Sequence, residues 1–263
     1  MRSPPSPAVG SLRAVDPTTG QWIAACAAAF GVGLGKGGLP GLGNLAIAVY
    51  AFAFPARLSV GILLPVLIVA DLVAVIVYRR HAEWSIIRKL LPWTGGGLLA
   101  GALVFDGIGD RTVEVLLGVI LLAMSGLQWL RSALVRGECD VPEGSPAVAL
   151  RAGTGLVGGF ATMIANAAGP VAALYLIFLR LPKIAFVGTL AWFFLIVNWV
   201  KLPILIGLDA VTFDSIAVSL PASAFSVVGV LTARAIVGRI PQRLFEWLIW
   251  LFVVGAGFQL LLG

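Results

Sequence analysis

Long apolar runs recur along nearly the whole chain, and they constrain its fold more than any other feature. Hydrophobic residues make up 60% of the 263 residues and charged residues only 11%, which is more apolar surface than a soluble domain of this length can bury. In hydrocarbon, only helices and closed barrels satisfy their own backbone groups. Because the runs are continuous rather than alternating, they predict an all-α polytopic membrane protein.

The formal net charge of +6 does not indicate nucleic-acid binding, because the basic residues are scattered among loops and form no basic face interleaved with aromatic residues. A positive-inside topology explains their distribution better. The two cysteines, Cys26 and Cys139, lack the spacing of a redox pair or a metal site. We therefore expect no cofactor and no bound metal.

Two interruptions break the apolar pattern. The first reads GVGLGKGGLPGLGN at residues 31–44, and the second reads MIANAAGP at residues 163–170. Non-helical backbone at membrane depth is tolerated only where it is buried in protein or lines a water-filled cavity. The interruptions therefore predict two broken helical segments, at residues 22–54 and 148–181.

The stretches that begin at residues 54 and 181 share one pattern, which indicates an internal repeat. Both place a glycine six residues after a proline, and a third polar match follows at the same offset. The aligned pairs are Pro55 with Pro182, Gly61 with Gly188 and Asp71 with Asn198. We predict two repeats, each a broken, re-entrant helical hairpin followed by three transmembrane helices.

The predicted chain has four parts: a polar N-terminal tail (residues 1–20), a first repeat (21–135), a cytoplasmic linker (136–147) and a second repeat (148–263). The three helices of the first repeat are predicted at 58–78, 90–105 and 113–134. Those of the second repeat are predicted at 184–207, 215–235 and 244–262. The polar tail and the absence of a small-residue cleavage site do not suggest a cleaved signal peptide.

Equivalent loops of the two repeats carry opposite charge. The loop at 79–89 is basic, whereas its counterpart at 209–214 holds only acidic charges, and the next pair of loops reverses this bias. Because lysine and arginine favour the cytoplasmic side, the repeats should be inverted relative to each other. Hairpins that enter and return satisfy this topology. Arms of about 12 to 16 residues would end inside the ~30 Å hydrocarbon core.

The interruptions have the composition of an anion site. A helix that restarts after a break presents unpaired N–H groups and a partial positive charge, and glycines let such donors approach a ligand. A lysine deep in the bilayer usually marks a pathway. The predicted substrate-binding residues are Lys36, Gly37, Gly38, Asn44, Thr162, Asn166 and Gly169. Close helix packing would also explain the glycines, and snorkelling to the surface would explain Lys36.

Asp71 and its neutral counterpart Asn198 are the predicted coupling residues. A desolvated carboxylate can exchange a proton, or it can pair with a cation such as Lys36. The alternative is a hydrogen bond or salt bridge between helices with no further role. We interpret Asn198 as a polar contact between helices and Lys201 as a side chain that reaches the outer interface.

The glycine-rich interruption, the repeated proline–glycine frame and the basic loop YRRHAEWS at 78–85 together resemble the sulfite exporter TauE/SafE family. Matching positions are Gly35, Gly37, Gly38, Pro55 and the HAEW turn that ends at Trp84. In the second half, residues 166–170 replace the glycine cluster. The resemblance implies export of sulfite or small organosulfonates across a bacterial inner membrane, driven by the proton or electrochemical gradient.

We therefore expect a multi-pass protein of the cell inner membrane that exports a small anion as a secondary transporter by alternating access. Its expected partners are the anionic substrate, the lipid bilayer and a proton carried with or against the anion, with a homodimer left open. The alternatives are an anion channel or a transporter of another small anionic metabolite. With one histidine and no catalytic motif, we expect no enzymatic activity and no catalytic residue.

Overall fold

The computed structural model describes residues 17–39, 41–105 and 144–241, together with Gly107 and scattered positions within 111–126 and 243–258. These described residues form eight α-helices and no β-strand, so the all-α prediction is confirmed. Four of these described helices are long and apolar enough to cross a membrane by length and composition. The predicted helices at 113–134 and 244–262, the linker up to residue 143 and most of the N-terminal tail lie outside the described residues, apart from those scattered positions.

The helices follow one another in an order that matches the predicted broken segments and spans. They are α1 (Thr19–Lys36), α2 (Gly41–Ala53), α3 (Ala56–Tyr78), α4 (Trp84–Val104), α5 (Ser145–Ala165), α6 (Gly169–Phe178), α7 (Lys183–Gly207) and α8 (Phe213–Val237). A short 3-10 turn, Arg79–His81, follows α3. The predicted start of the fourth helix at residue 90 is wrong, because the basic residues Arg88 and Lys89 belong to the first turns of α4 rather than to the loop.

Both interruptions are breaks between helices, as predicted. After α1, Gly38 has φ of 127°, a backbone conformation that glycine adopts readily and other residues rarely do. After α5, Asn166 adopts the left-handed conformation with φ of 56°, which asparagine tolerates better than most residues. Pro170 then occupies the first turn of α6, where its missing N–H removes no helical hydrogen bond.

The four arms of the broken segments are unequal, and the predicted length of 12 to 16 residues holds only for α2. The arms have 18, 13, 21 and 10 residues in α1, α2, α5 and α6. At 1.5 Å per residue, α5 is about 31 Å long, enough to cross the hydrocarbon core, whereas α6 is about 15 Å long. Helix α5 is long because packing against α4 offsets the low helix propensity of its glycines.

The first helix of each predicted repeat packs closely against the fourth helix of the other. A methyl group added at Gly33 of α1 would overlap the Ser226 carbonyl oxygen of α8. In the same way, a methyl group at Gly159 of α5 would overlap the Thr94 carbonyl oxygen of α4. Small residues that let two helix backbones approach are typical of membrane proteins. The packing interpretation is therefore confirmed for Gly33, which belongs to the first interruption.

Helices α3 and α7 run antiparallel and exchange equivalent contacts. Gly61, near the start of α3, packs against the carbonyl oxygen of Ala210, just beyond the end of α7. Gly188, near the start of α7, packs against the carbonyl oxygen of Tyr78 at the end of α3. The start of each helix therefore lies beside the end of the other. This reciprocal contact supports the inverted repeat, which stays a prediction.

Candidate functional site

A cavity of about 60 Å³ lies between the two helix breaks and helices α3 and α7. This volume is roughly four times what one water molecule needs, so the cavity can hold a small polyatomic group. Its polar lining comes from Lys36, Thr162, Asn166 and Asn198. Glycines of the two breaks and apolar side chains complete the wall, among them Gly35, Gly38, Gly43, Gly169, Leu67 and Phe194.

Lys36, the last residue of α1, forms a buried ion pair at the cavity wall. Its Nζ lies 2.7 Å from Oδ1 of Asp71, and the two side chains are 17% and 0% exposed. The same ammonium lies 4.0 Å from the centroid of the Phe194 ring, a cation–π contact that further stabilises it away from water. The snorkelling interpretation of Lys36 is therefore wrong, because its charge faces the protein interior.

Asn198 binds the other oxygen of the same carboxylate. Its Nδ2 donates a hydrogen bond of 2.7 Å to Oδ2 of Asp71, which joins α7 to α3 in a fully buried position. The expected polar contact between helices is confirmed. Asp71 and Asn198 are also the pair aligned in the two repeats, and their direct contact is the arrangement expected where an axis relates the two halves.

Lys201 belongs to this cluster, and the prediction that it reaches the outer interface is wrong. Its side chain is 0% exposed, and its Nζ donates to the carbonyl oxygen of Thr162 at 2.7 Å and to Oδ1 of Asn166. Both acceptors are neutral, and no carboxylate of the described residues lies within ion-pair distance of this ammonium. A cation here interacts favourably with the carbonyl groups that end α5.

Lys201 fixes the shape of the second break through Asn166. While Oδ1 of Asn166 accepts from Lys201, its Nδ2 donates to the carbonyl oxygen of Val60 at 3.3 Å. Both polar atoms of this side chain are therefore engaged by protein, and Asn166 shapes the cavity wall more than it offers a free group. At this break, the first turn of α6 brings the backbone of Gly169 to the cavity, where helical N–H groups lack partners within the helix.

The structure separates the two glycines predicted beside Lys36. Gly38 lines the cavity, whereas Gly37 is not part of its wall. Instead, Gly37 packs against Val230 of α8, and its carbonyl oxygen accepts a hydrogen bond of 2.7 Å from the Tyr78 hydroxyl. Asn44 lies within α2, but its side chain is outside the described residues. The cavity therefore collects Lys36, Gly38, Thr162, Asn166, Gly169 and Asn198 from the predicted set.

The charges of the site do not cancel. In their ordinary states, Lys36 and Lys201 are cations and Asp71 is an anion, which leaves one excess positive charge. Among the charged side chains that the structure describes, Lys36 is the one that lines the cavity itself, while Asp71 and Lys201 lie behind its wall. A buried positive charge acts strongly on a small anion because little water screens it. Among the described residues, no three histidine, cysteine, aspartate or glutamate side chains come together as metal ligands.

A family model described as "Sulfite exporter TauE/SafE" matches residues 25–260 of the chain. The match includes both helix breaks and every residue of the cavity described above. No curated protein and no solved structure matches the chain.

Proposed function

Because the chain belongs to the sulfite exporter TauE/SafE family, we propose that it exports sulfite or a small organosulfonate across the bacterial inner membrane. Members of this family are multi-pass membrane transporters of sulfite or related anions rather than enzymes. In the proposed mechanism the protein is a secondary transporter. Its two halves rock about the cavity and open it alternately to the two sides of the membrane.

One observation supports this proposal most directly: the Lys36 ammonium lies in the wall of the cavity, between the two helix breaks, and pairs with the buried Asp71 carboxylate. A cation within the bilayer costs about 2.5 to 3.5 kcal/mol even on the mild insertion scale, and helix packing alone does not require one. Lys36 therefore supports an anion pathway better than a structural role. The breaks add N–H groups and the positive end of α6 at the same place.

The ion pair with Asp71 keeps anion binding moderate. An anion that enters the cavity must compete with the Asp71 carboxylate for the Lys36 ammonium. Part of the binding free energy is lost in breaking that pair, so the anion is not held too tightly to be released. When the anion leaves, Asp71 takes its place and neutralises Lys36 again.

The experiment is anion efflux from proteoliposomes that contain the full chain, with sulfite, sulfoacetate or an unrelated anion inside and an imposed pH gradient or membrane potential. Saturable flux that supports counterflow is the expected result for a transporter. Ohmic unitary currents in planar bilayers would instead identify the anion channel that the sequence leaves as an alternative. Flux no higher than in protein-free vesicles would contradict both functions.

Replacing Lys36→Met should lower kcat/KM for the transported anion by about 10- to 100-fold, because a hydrogen bond to a charged group contributes roughly 1.5 to 3 kcal/mol. Lys89→Met is the matched control, since Lys89 is an exposed lysine of α4. The double variant Lys36→Met with Asp71→Asn removes both charges, so it should remain folded yet inactive. If Lys36→Met transported the anion at the parent rate, Lys36 would not be part of the binding site.

A further inference from the structure

The three buried charges at the centre of the protein act on one another without cancelling. Lys36 contacts Asp71 directly, whereas Lys201 acts on Asp71 by charge alone. Lys201 does not line the cavity itself, but its acceptors Thr162 and Asn166 do. The Lys36 ammonium therefore lies in the cavity wall and pairs with Asp71, whereas the Lys201 ammonium lies behind Thr162 and Asn166 and has no carboxylate partner of its own.

The sum of these charges restricts which anions the cavity can bind without a large electrostatic penalty. A monoanion added to two cations and one carboxylate leaves the site neutral. A dianion leaves it with one excess negative charge, which is costly in a buried place unless one proton is also bound. We propose that the site binds its anion electroneutrally, so that a dianion is carried with one proton on Asp71 and a monoanion with none. The inference rests on the proposed function and adds its charge class and coupling.

Among the charged groups near the cavity, Asp71 is the carboxylate that can bind this proton. From the helices packed against α3, α1 presents Lys36, and α7 presents Asn198 and Lys201. Helix α2 has no charged residue, and the charges of α8 are confined to Asp214 in its first turn and Arg234 in its last. Within the described helices, Asp71 and Asp214 are the only carboxylates, and Asp214 lies at a helix end.

The two carboxylate oxygens of Asp71 have different partners. Oδ2 accepts the hydrogen bond from Asn198, and Oδ1 faces Lys36. When a dianion attracts the Lys36 ammonium, Oδ1 is vacated and takes a proton from water on the side where the anion enters. The protonated carboxyl keeps its Asn198 bond and donates its new O–H toward the anion. On the other side the proton returns to water with the departing anion, and the Lys36–Asp71 pair re-forms.

The two classes of substrate then share one property and differ in another. Each transport cycle moves one net negative charge, either as a monoanion or as a dianion with its proton. Both fluxes should therefore respond alike to membrane potential. Only the dianion flux should respond to a pH gradient.

The test counts protons in proteoliposomes of the full chain with a trapped pH-sensitive dye and labelled anions. Sulfoacetate serves as the dianion and methanesulfonate as the monoanion, because neither titrates near neutral pH. We expect about one proton per sulfoacetate and none per methanesulfonate. Acidifying the entry side by one pH unit should raise sulfoacetate uptake by up to ~10-fold and leave methanesulfonate uptake unchanged.

The variant Asp71→Asn tests whether anion transport can occur without proton transport. Asp71→Asn fixes this position in a neutral state, so whatever sulfoacetate flux the variant shows should carry no proton, while methanesulfonate uptake should fall. Lys89→Met, outside the cavity, should keep both proton ratios of the parent protein. Equal proton counts for the two anions in the parent protein, or a proton-coupled Asp71→Asn variant, would overturn the inference.

If a variant does not fold, the parent protein still tests the inference. The numbers of protons carried with sulfoacetate and with methanesulfonate can be measured in it without any substitution. Saturable flux with the wrong proton count contradicts this inference and leaves the proposed function standing. Absence of saturable flux for every anion contradicts the proposed function, and this inference with it.

Discussion

Asp71 and Asn198 are aligned in the two predicted repeats, and Nδ2 of Asn198 lies 2.7 Å from Oδ2 of Asp71. Exchanging the two residue types should therefore keep one carboxylate at this contact. Asp71→Asn alone removes the partner of Lys36, and breaking a buried ion pair in this way costs about 3 kcal/mol. Adding Asn198→Asp returns a carboxylate to the same place. Thermal unfolding in detergent should show a lower Tm for the single variant and recovery of most of that loss in the double variant.

The control for this exchange is Asn198→Asp alone, which puts two carboxylates in contact and should also be less stable than the parent protein near neutral pH. A double variant no more stable than Asp71→Asn would show that the two positions are not interchangeable. The equivalence of the two helices at this contact would then be lost.

Two of the three buried charges could be recognised in the sequence, and the third could not. Lys36 and Asp71 stand inside interrupted or apolar runs, where an unpaired charge is costly. Lys201 lies closer to the end of its apolar run, which suggested a surface position. Lys201 follows Asn198 by three residues, which places both side chains on one helix face. This spacing is the sequence feature that indicates a buried position for Lys201. Its acceptors come from another helix, and no spacing rule links them to it.

Glycines at the helix contacts are positions where backbones touch, and α4 offers a matched pair to test this. Gly97 packs against the carbonyl oxygen of Leu156 in α5, whereas Gly95, two residues earlier, has no neighbour within 4 Å of an added methyl group. Gly97→Ala should destabilise the protein by about 1 to 3 kcal/mol through overpacking. Gly95→Ala should be neutral or slightly stabilising, because alanine is the better helix former.

Thermal unfolding of the two variants, measured side by side in one detergent, checks this prediction. Equal Tm values for Gly97→Ala and Gly95→Ala would mean that α4 and α5 are not in close contact. Gly33→Ala, at the contact between α1 and α8, should lower the Tm as Gly97→Ala does.

The existence and order of the helices could be predicted because apolar runs, prolines and glycines mark them locally. Pro55 and Pro182 do precede α3 and α7, since a proline fits the start of a helix. Helix lengths were less predictable. Helix α5 continues through several glycines because α4 lies against them, and α4 begins six residues early among basic side chains. Both differences come from tertiary contacts and solvent exposure, which local propensity does not include.

The antiparallel course of α3 and α7 leads to a prediction for the protein as a whole in its membrane. If the two halves are inverted, the basic turn around Arg88 faces the cytoplasm and the acidic turn around Asp209 faces the opposite side. Single cysteines at these positions, in a background without Cys26 and Cys139, should react with an impermeant thiol reagent from opposite faces. Labelling of both from one face would contradict the inverted arrangement.

The contact between Asp71 and Asn198 also bears on how a chain of this kind can arise. In a dimer of identical antiparallel halves, a residue on the symmetry axis meets its own copy, so a carboxylate there always meets a second carboxylate. If the two halves of this chain are the predicted inverted repeats, joining them in one polypeptide lets the two copies mutate separately. An acid can then face an amide, and a single titratable group replaces a repelling pair. A homodimer of one unfused half cannot have such an unequal centre.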